Sequence, residues 1–199
     1  MKKLKLKSKL IFVIILNTLF MLVGCRTMSE HIQNKTAGMN GGFEVSQKGI
    51  PVNWLLYSPN TVPDAEFKIV LDTLIYKEGK QSVRFDVKKC SSRGGWASPG
   101  IHSEFFTSGQ YEVPATYKLS FWVKNEGSTF KIFAGGVDAM GGDSKVKSKS
   151  INEIHDEQIS EWNLFEYQIE IPKDRWLRLE INILQPGTFW IDDIQIEKE

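Results

Sequence analysis

The sequence has few cysteines, few histidines and no excess of basic charge. Its 199 residues include two cysteines, too few for an internal disulfide framework. The three histidines lie in no recognisable catalytic motif. Lysine and arginine number 25 against 24 acids, which disfavours a nucleic-acid-binding domain because such a domain depends on clustered bases. No segment has a sustained helical period. The apolar content of 41% is still sufficient for a core, so intrinsic disorder is also disfavoured.

The N-terminal residues are typical of an export signal. Five lysines precede the apolar run Leu10 to Val23, which is shorter than the roughly 20 residues of a membrane-spanning helix. The run ends in Leu22 to Cys25, and this tetrapeptide resembles the lipobox of bacterial lipoproteins. The resemblance implies that residues 1–24 are removed, that Cys25 is lipidated, and that the protein is anchored to a bacterial membrane at the cell surface. An uncleaved signal anchor with a free Cys25 is the alternative.

Removal of the export signal changes the charge and the cysteine count of the remaining chain. Without the five lysines, 20 bases and 24 acids remain, which is a net charge of −4. This mild acidity favours a neutral or cationic ligand over an anionic polymer. Cys90 has no remaining partner in the chain, so we expect a core, not a disulfide, to stabilise the fold. Residues 25–39 are mostly polar and aperiodic, and we interpret them as a tether to a domain at 40–199.

The domain is predicted to consist of β-strands. Apolar residues alternate with polar ones at 83–87, 117–123, 165–171 and 177–183. This period of two indicates half-buried antiparallel strands. Further strands are expected near 50–57, 66–76, 101–106, 129–134 and 189–197, with turn residues between them and a Gly- and Ser-rich loop at 135–150. The pattern predicts an all-β fold, a two-sheet antiparallel β-sandwich of the jelly-roll type.

The last predicted strand places an acid among apolar residues. In strict alternation Trp190, Asp192, Ile194 and Ile196 share one face. A bare buried carboxylate is costly, so Asp192 must be hydrogen-bonded, paired or bound to a cation. Calcium, which prefers carboxylate and carbonyl oxygens, would satisfy it. A hydrogen-bonded aspartate at the strand end, or a bulge that shifts the register, is the alternative.

Short motifs along the domain resemble one family. They are Asn-Gly-Gly-Phe-Glu at 40–44, Pro-Val-Asn-Trp at 51–54, Glu-Gly-Lys-Gln-Ser-Val at 78–83, the strand 116–124, and Trp-Ile-Asp-Asp-Ile at 190–194. In this order and spacing they resemble carbohydrate-binding modules of the family 4/9 type, which have a galactose-binding-like jelly roll. The resemblance spans residues 40–199.

The resemblance implies polysaccharide binding and one structural calcium ion between the first and last strands. The matching ligand positions are Glu44 and either Asp192 or Asp193, and the strand alternation favours Asp192. Backbone carbonyls near Gly42 and Lys80 would complete the shell. Such modules are commonly attached to a glycoside hydrolase. Here we expect the protein to bind glycan on its own or with separately encoded glycan-degrading proteins.

A sugar site needs aromatic faces for stacking and fixed polar groups for hydroxyls. Candidates that fall on the polar sides of their strands are Trp122, Trp176, Arg84, Arg178 and Glu180. If these strands share one sheet, its solvent face carries two indoles among charges. Otherwise the indoles are covered by loops or lie on different sheets.

Trp96 follows two glycines in a predicted loop, where an aromatic serves either as a ligand platform or as a lid over the core edge. Tyr57 and Tyr111 are further candidates. Trp54 and Trp190 are predicted to be buried.

Two other functions are compatible with a jelly roll. One is a polysaccharide lyase or glycosidase, in which His102 with Arg93 would be a candidate base with a cationic neighbour. The other is a protein-binding surface lipoprotein, which would expose an apolar patch. Because no catalytic motif is recognisable, we predict a non-catalytic carbohydrate-binding protein.

Overall fold

The computed structural model of the chain describes residues 32–103, 115–137, 150–154, 158–171 and 176–199. The predicted export signal and Cys25 lie outside these ranges. Regular structure in the described part is almost entirely β-strand, with two short 3-10 turns at Lys35–Ala37 and Gly95–Ala97. Among the described residues no helix has the length and apolar content needed to span a membrane.

Twelve strands run through the described residues and form two five-stranded sheets and a small hairpin. In chain order they are β1 (Ser46–Gln47), β2 (Ile50–Pro51), β3 (Trp54–Leu56), β4 (Glu66–Asp72), β5 (Ser82–Lys89), β6 (Gly100–Ser103), β7 (Ala115–Glu126), β8 (Phe130–Val137), β9 (Ser150–Ile154), β10 (Ile159–Ile171), β11 (Trp176–Ile183) and β12 (Gly187–Lys198). Sheet I has the order β10-β7-β12-β5-β4, and sheet II has the order β3-β6-β11-β8-β9. The pairs within both sheets are antiparallel.

The core lies between the two sheets and is built by the alternation seen in the sequence. In β7, Leu119, Phe121 and Val123 are fully buried, while the residues between them are not. The ring of Phe130 in sheet II lies 4.6 Å from that of Phe189 in sheet I, centroid to centroid. The prediction of an all-β, two-sheet antiparallel sandwich is therefore confirmed.

Some strand ends differ from the sequence prediction. The loop predicted at 135–150 is too long, because β8 extends through Gly135 to Val137 and Ser150 begins β9. The two glycines at 135 and 136 pair with Arg178 and Leu177 of β11. The predicted loop begins with this glycine pair, whereas in the structure its cross-strand partners keep it extended within β8. Residues 138–149 lie outside the described part.

The segment before residue 40 is attached to the sandwich by the side chain of Asn53. Its Oδ1 accepts from Asn34 N at 2.7 Å, and its Nδ2 donates to the carbonyl oxygens of Asn34 and Gly38, each at 2.7 Å. Asn53 is fully buried and holds a positive φ of 67°. Asparagine tolerates this left-handed backbone better than most residues. Within the described part of the chain, contacts with the sandwich therefore extend back to Ile32, whose carbonyl accepts from Asn53 N.

A β-bulge in β12 overturns the predicted alternation of the last strand. Asp192 pairs with Trp122 of β7, but the register is shifted before Gln195 pairs with Ser120. Asp193, in the bulge, has a positive φ of 46°. Trp190 and Asp192 consequently lie on the outer face of sheet I, and not on the core face with Ile194 as the strict period predicted. A bulge inserts a residue and switches all later side chains to the other face.

The junction between the N-terminal segment and β12 requires glycine at position 41. Gly41 O accepts from Ile194 N at 3.1 Å, and a Cβ on Gly41 would lie 1.8 Å from the carbonyl oxygen of Ile194. We expect Gly41→Ala to lower the free energy of unfolding by roughly 1–3 kcal/mol, since the backbone must shift. Urea denaturation measures this change.

Gly42→Ala is the matched control for that substitution. A Cβ on Gly42 would meet only Glu44 Cγ, at 3.8 Å, which is an ordinary contact. Equal stabilities for the two variants would show that the close approach at Gly41 does not constrain the fold.

Candidate functional site

The structure divides the predicted sugar-binding residues between the two sheets. Arg84 and Trp122 lie on β5 and β7 of sheet I, whereas Arg178 and Glu180 lie on β11 of sheet II. The backbone of Trp176 begins β11 and pairs with Val137. The sequence left open whether these strands share a sheet, and they do not. One concavity therefore does not hold all of these residues.

The outer face of sheet II contains a polar cluster centred on Glu180. Its Oε1 accepts from the hydroxyl of Tyr57 at 2.6 Å and from Asn182 Nδ2 at 3.3 Å. Its Oε2 accepts from Arg178 Nη2 at 3.1 Å. The Glu180 side chain is only 13% exposed, against 33% for Arg178. The carboxylate thus fixes three donors in place on one face of the sheet.

Asn182 connects this cluster to the loop that contains Trp96. Asn182 is fully buried, and its Oδ1 accepts from Gly95 N at 2.7 Å while its Nδ2 lies 3.4 Å from Gly95 O. The loop is further closed by Ser98, whose hydroxyl accepts from Gly94 N at 3.0 Å. The backbone around Trp96 is therefore held against β11. The side chains of Trp96 and Trp176 lie outside the described part of the structure, so their predicted roles stay predictions.

His102 lies beside Glu180 and completes the polar cluster. The two residues pair across β6 and β11. His102 Nδ1 is 3.3 Å from Arg178 Nη2 and 3.2 Å from the Tyr57 hydroxyl. A guanidinium can only donate, and Tyr57 donates its single hydroxyl proton to Glu180, so the tautomer of His102 decides which of these two contacts is a hydrogen bond. Burial, followed by the charge and hydrogen bond of Glu180, raises the pKa of Tyr57 far above its ordinary value. Tyr57 therefore remains a neutral phenol at physiological pH.

Phe133 adds an aromatic surface next to this cluster. It pairs with Glu180 across β8 and β11, is half-buried, and has Lys131 Nζ 4.9 Å from its ring centroid. The sequence analysis did not select it. A signal existed, because Phe130, Ile132 and Ala134 alternate as core residues and leave Phe133 on the outer face. Phe133 thus meets the same criterion of an outward strand position as the predicted candidates Trp122 and Trp176.

Arg84 has a structural role on sheet I. Its Nη1 donates to Asp72 Oδ2 at 2.8 Å, and the indole Nε1 of Trp190 donates to the same oxygen at 3.0 Å. Trp190 is 4% exposed, as predicted, but on the outer face. Burial alone would raise the pKa of Asp72, yet hydrogen bonds from Trp190, two backbone amides and Arg84 lower it below the usual value. Arg84 is thus engaged with Asp72 and Asp86 on the outer face of sheet I.

The predicted calcium ligands lie around one loop of the chain. Glu44 Oε1 accepts from Lys80 N at 2.8 Å, and Asp192 Oδ2 accepts from Lys77 N at 2.8 Å and Glu78 N at 3.0 Å. The two carboxylates therefore hold opposite ends of the 77–81 loop. Burial raises the pKa of Asp192 to about 6, although three backbone amides oppose this shift. A nearby cation would favour the charged form of this carboxylate.

The carboxylate oxygens of Glu44 and Asp192 are the kind of ligand atom that calcium prefers. Within the described residues, no group of three or more Asp, Glu, His or Cys side chains is placed to hold a metal ion. Backbone carbonyls, such as those of Gly42 and Lys80, would have to supply the remaining oxygen ligands. Calcium accepts such mixed oxygen shells.

Comparison with known proteins identifies the fold through solved structures only. No protein-family model and no curated protein sequence matches this chain. The CBM22-1 xylan-binding domain from Paenibacillus barcinonensis Xyn10C matches with a TM-score of 0.51 and 14% identity, over 79% of this chain and 91% of that chain. A CBM4 structure matches with a TM-score of 0.52 and 13% identity, over 80% and 98% of the two chains. The enzymatically active domain of bacteriophage CBA120 tailspike protein 4 matches with a TM-score of 0.55 and 13% identity, over 80% of this chain and 21% of that chain.

The chain therefore has the jelly-roll sandwich fold found in carbohydrate-binding modules, and the predicted fold class is confirmed. More particularly, the fold is that of solved CBM22 and CBM4 structures. A tailspike enzyme domain contains the same architecture, so the fold alone does not decide between binding and catalysis.

The ion pair of Asp72 generates a pH-dependent contribution to stability. Because the folded-state pKa of Asp72 is depressed, its contribution is present above the unfolded-state pKa and is lost as the pH falls through the folded-state value. We expect Asp72→Asn to lower the free energy of unfolding by about 1–3 kcal/mol at pH 7, and by much less near pH 2. Urea denaturation at the two pH values measures the difference.

Asp86→Asn serves as the control, because Asp86 also pairs with Arg84, at 3.1 Å, but its side chain is 40% exposed. An exposed pair contributes less than about 1 kcal/mol. Equal losses for the two variants at pH 7 would contradict a buried role for Asp72.

Proposed function

We propose that the protein binds a polysaccharide, without catalysis, on the outer face of sheet II. The observation that carries this proposal is the Glu180 cluster, which fixes Tyr57, Arg178 and Asn182 beside the half-buried ring of Phe133. Fixed hydrogen-bonding groups next to an aromatic face suit the hydroxyls and apolar face of a sugar ring. The CBM22-1 domain of similar fold is described as xylan-binding, and this supports the same ligand class here.

The hydrogen bonding of the cluster favours binding over a lyase or glycosidase mechanism. A general base must be able to take a proton at the working pH. Tyr57 donates to Glu180, and its pKa is raised, so it is a poor base. Glu180 already accepts from three donors and is a poor candidate for an acid or nucleophile. Arg93, the predicted cationic partner of His102, instead donates through its Nε to Ser91.

The proposed setting is the surface of a bacterial cell. The lipobox-like segment ending at Cys25 supports a lipid anchor, and an extracellular polymer is the ligand that such an anchor would present to the site. Separately encoded glycan-degrading proteins would be the partners of a binding protein in this position. Incorporation of labelled palmitate, absent in Cys25→Ser, tests the anchor.

The binding proposal predicts that Phe133 carries affinity. We expect the purified protein to bind at least one polymer in a panel of xylan, mannan, β-glucan and galactan. Phe133→Ala should weaken binding about tenfold or more, because a buried aromatic contact contributes roughly 1.5–3 kcal/mol. Trp176→Ala and Trp96→Ala test whether the two predicted indoles also contribute to affinity, since Trp176 begins β11 of sheet II and Trp96 is in the loop held against that strand. Affinity electrophoresis and calorimetry measure the change.

Val70→Ala is the matched control for Phe133→Ala. Val70 is a half-buried apolar residue that pairs with Arg84 on sheet I, so its loss removes apolar surface far from the proposed site. Absence of binding to every polymer would refute the proposed function. Release of shorter products from a polymer would replace it with an enzymatic one.

Calcium is proposed as a structural ligand of the 77–81 loop, held by Glu44, Asp192 and the carbonyls of Gly42 and Lys80. The support comes from the family resemblance and from the two carboxylates that the structure brings to one loop. Asp192 is fully buried, whereas Asp193 is half-buried, which favours Asp192 as the ligand. Because the ion would bind only the folded chain, it would stabilise the fold.

The calcium proposal predicts a metal-dependent melting temperature. At a calcium concentration of about 100 times Kd, the protein should melt roughly 5–10 °C higher than in chelator. Asp192→Asn should abolish this response, while Asp193→Asn, the neighbouring acid, should retain it. Differential scanning calorimetry makes the comparison, and an unchanged melt after chelation would remove calcium from the proposal.

A further inference from the structure

The outer face of sheet I carries a groove that the proposed function does not use. Two hollows of about 270 and 300 Å³ adjoin there and share Lys118 and Glu166. The first reaches from these residues to Trp122, Leu164 and Gln195. The second continues past Gln168 toward the C-terminus. Both lie on the side of the sandwich opposite the Glu180 cluster.

The strand register explains why the groove exists. Ser120 is the central residue of the floor, and Glu166 of β10 and Gln195 of β12 flank it at the same level. Trp122 and Lys118 follow at the adjacent outward positions of β7, each about 7 Å from Ser120 along the strand. A short side chain surrounded by four longer ones leaves a hollow. The bulge at Asp192–Gln195 places Gln195 on this face.

An immobilised aromatic residue forms one end of the groove. Trp122 is half-buried, and Lys77 Nζ lies 4.0 Å from its ring centroid. Lys77 is itself held because its backbone N donates to Asp192 at 2.8 Å. Leu164, 46% exposed, pairs with Trp122 and extends the apolar surface. Since Lys77 already occupies the cation–π position, a ligand would use the remaining indole surface.

The polar groups around the groove select the charge of its ligand. Glu166 is paired with Lys118 at 2.5 Å, and Gln195 Nε2 donates to both oxygens of Asp193, at 2.9 and 3.0 Å. The first hollow is lined by the carboxylates of Glu166, Asp193 and Glu197, against the two ammonium groups of Lys118, which pairs with Glu166, and of Lys77, which lies over Trp122. Carboxylates accept from hydroxyl groups and repel anionic sugars. The groove therefore suits uncharged sugar residues.

We propose that this groove is a second carbohydrate-binding site, specific for neutral glycans and centred on Ser120 between Trp122 and Lys118. This inference rests on the proposed function in one respect, which is that the groove on sheet I and the Glu180 cluster on sheet II both bind sugar. The two sites are on opposite outer faces of the sandwich, so a short oligosaccharide occupies each one separately. The protein then binds two oligosaccharide molecules and cross-links a polymer.

Calorimetry with xylohexaose, cellohexaose and mannohexaose tests the second site. We expect a stoichiometry of two for a hexasaccharide that binds. Ser120→Trp fills the hollow and should reduce the stoichiometry to one, whereas Phe133→Ala should weaken the other site about tenfold or more. The double variant should keep only the weakened site on sheet II. A hexamer of galacturonate should not compete for the site that remains in Phe133→Ala.

Controls separate a blocked groove from a damaged fold. Lys68→Trp places the same indole on the outer face of β4, away from the groove, and should keep a stoichiometry of two. Leu164→Ala and Gln195→Ala alter exposed groove residues and should each weaken one site about tenfold.

Unchanged binding in these two variants and in Ser120→Trp would overturn the second site and leave the proposed function intact. Loss of binding in Ser120→Trp, together with unchanged binding in Phe133→Ala, would support the groove and refute the site on sheet II. Binding to no hexasaccharide would overturn both.

Discussion

Packing of the two inner apolar faces determines where every other feature of this protein lies. Phe130 and Phe189 meet at 4.6 Å between ring centroids, and aromatic and aliphatic residues from both sheets pack around them. Because a strand alternates its side chains, a face committed to this core leaves its polar residues on the other side. The polar networks of both sheets are the consequence. The Glu180 cluster on sheet II and the Asp72 cluster on sheet I occupy the outer faces of one sandwich.

Local pattern predicted most of the fold. The alternation of 117–123 and 177–183 identified β7 and β11, and the composition and motifs predicted a jelly roll. Sheet membership was not predictable from the pattern, because it depends on pairing between distant residues. Trp122 and Arg178 looked equivalent as outward residues, yet the pairing of β7 with β12 and of β11 with β6 separates them. The Glu180 cluster also joins residues as distant as Tyr57, so its geometry has no local signal.

The bulge in β12 shows how one inserted residue changes a functional interpretation. Strict alternation places Asp192 with Ile194 on the core face, and the sequence argument for a calcium ligand started from that placement. In the structure Asp192 is buried on the outer face under the 77–81 loop. The same bulge aligns Gln195 with Ser120. A single irregularity with a left-handed Asp193 thus connects the candidate calcium loop to the groove beside Trp122.

The attachment of the N-terminal segment has a mechanical consequence. A pull applied at Ile32 is first borne by the hydrogen bonds of Asn53 and then by the bond between Gly41 and Ile194. Ile194 belongs to β12, the middle strand of sheet I, which has neighbours on both sides. Load that enters at Ile194 is shared between β7 and β5, whereas load that enters at Asn53 reaches sheet II beside its edge strand β3. The N-terminal segment is thereby tied to both sheets of the sandwich at once.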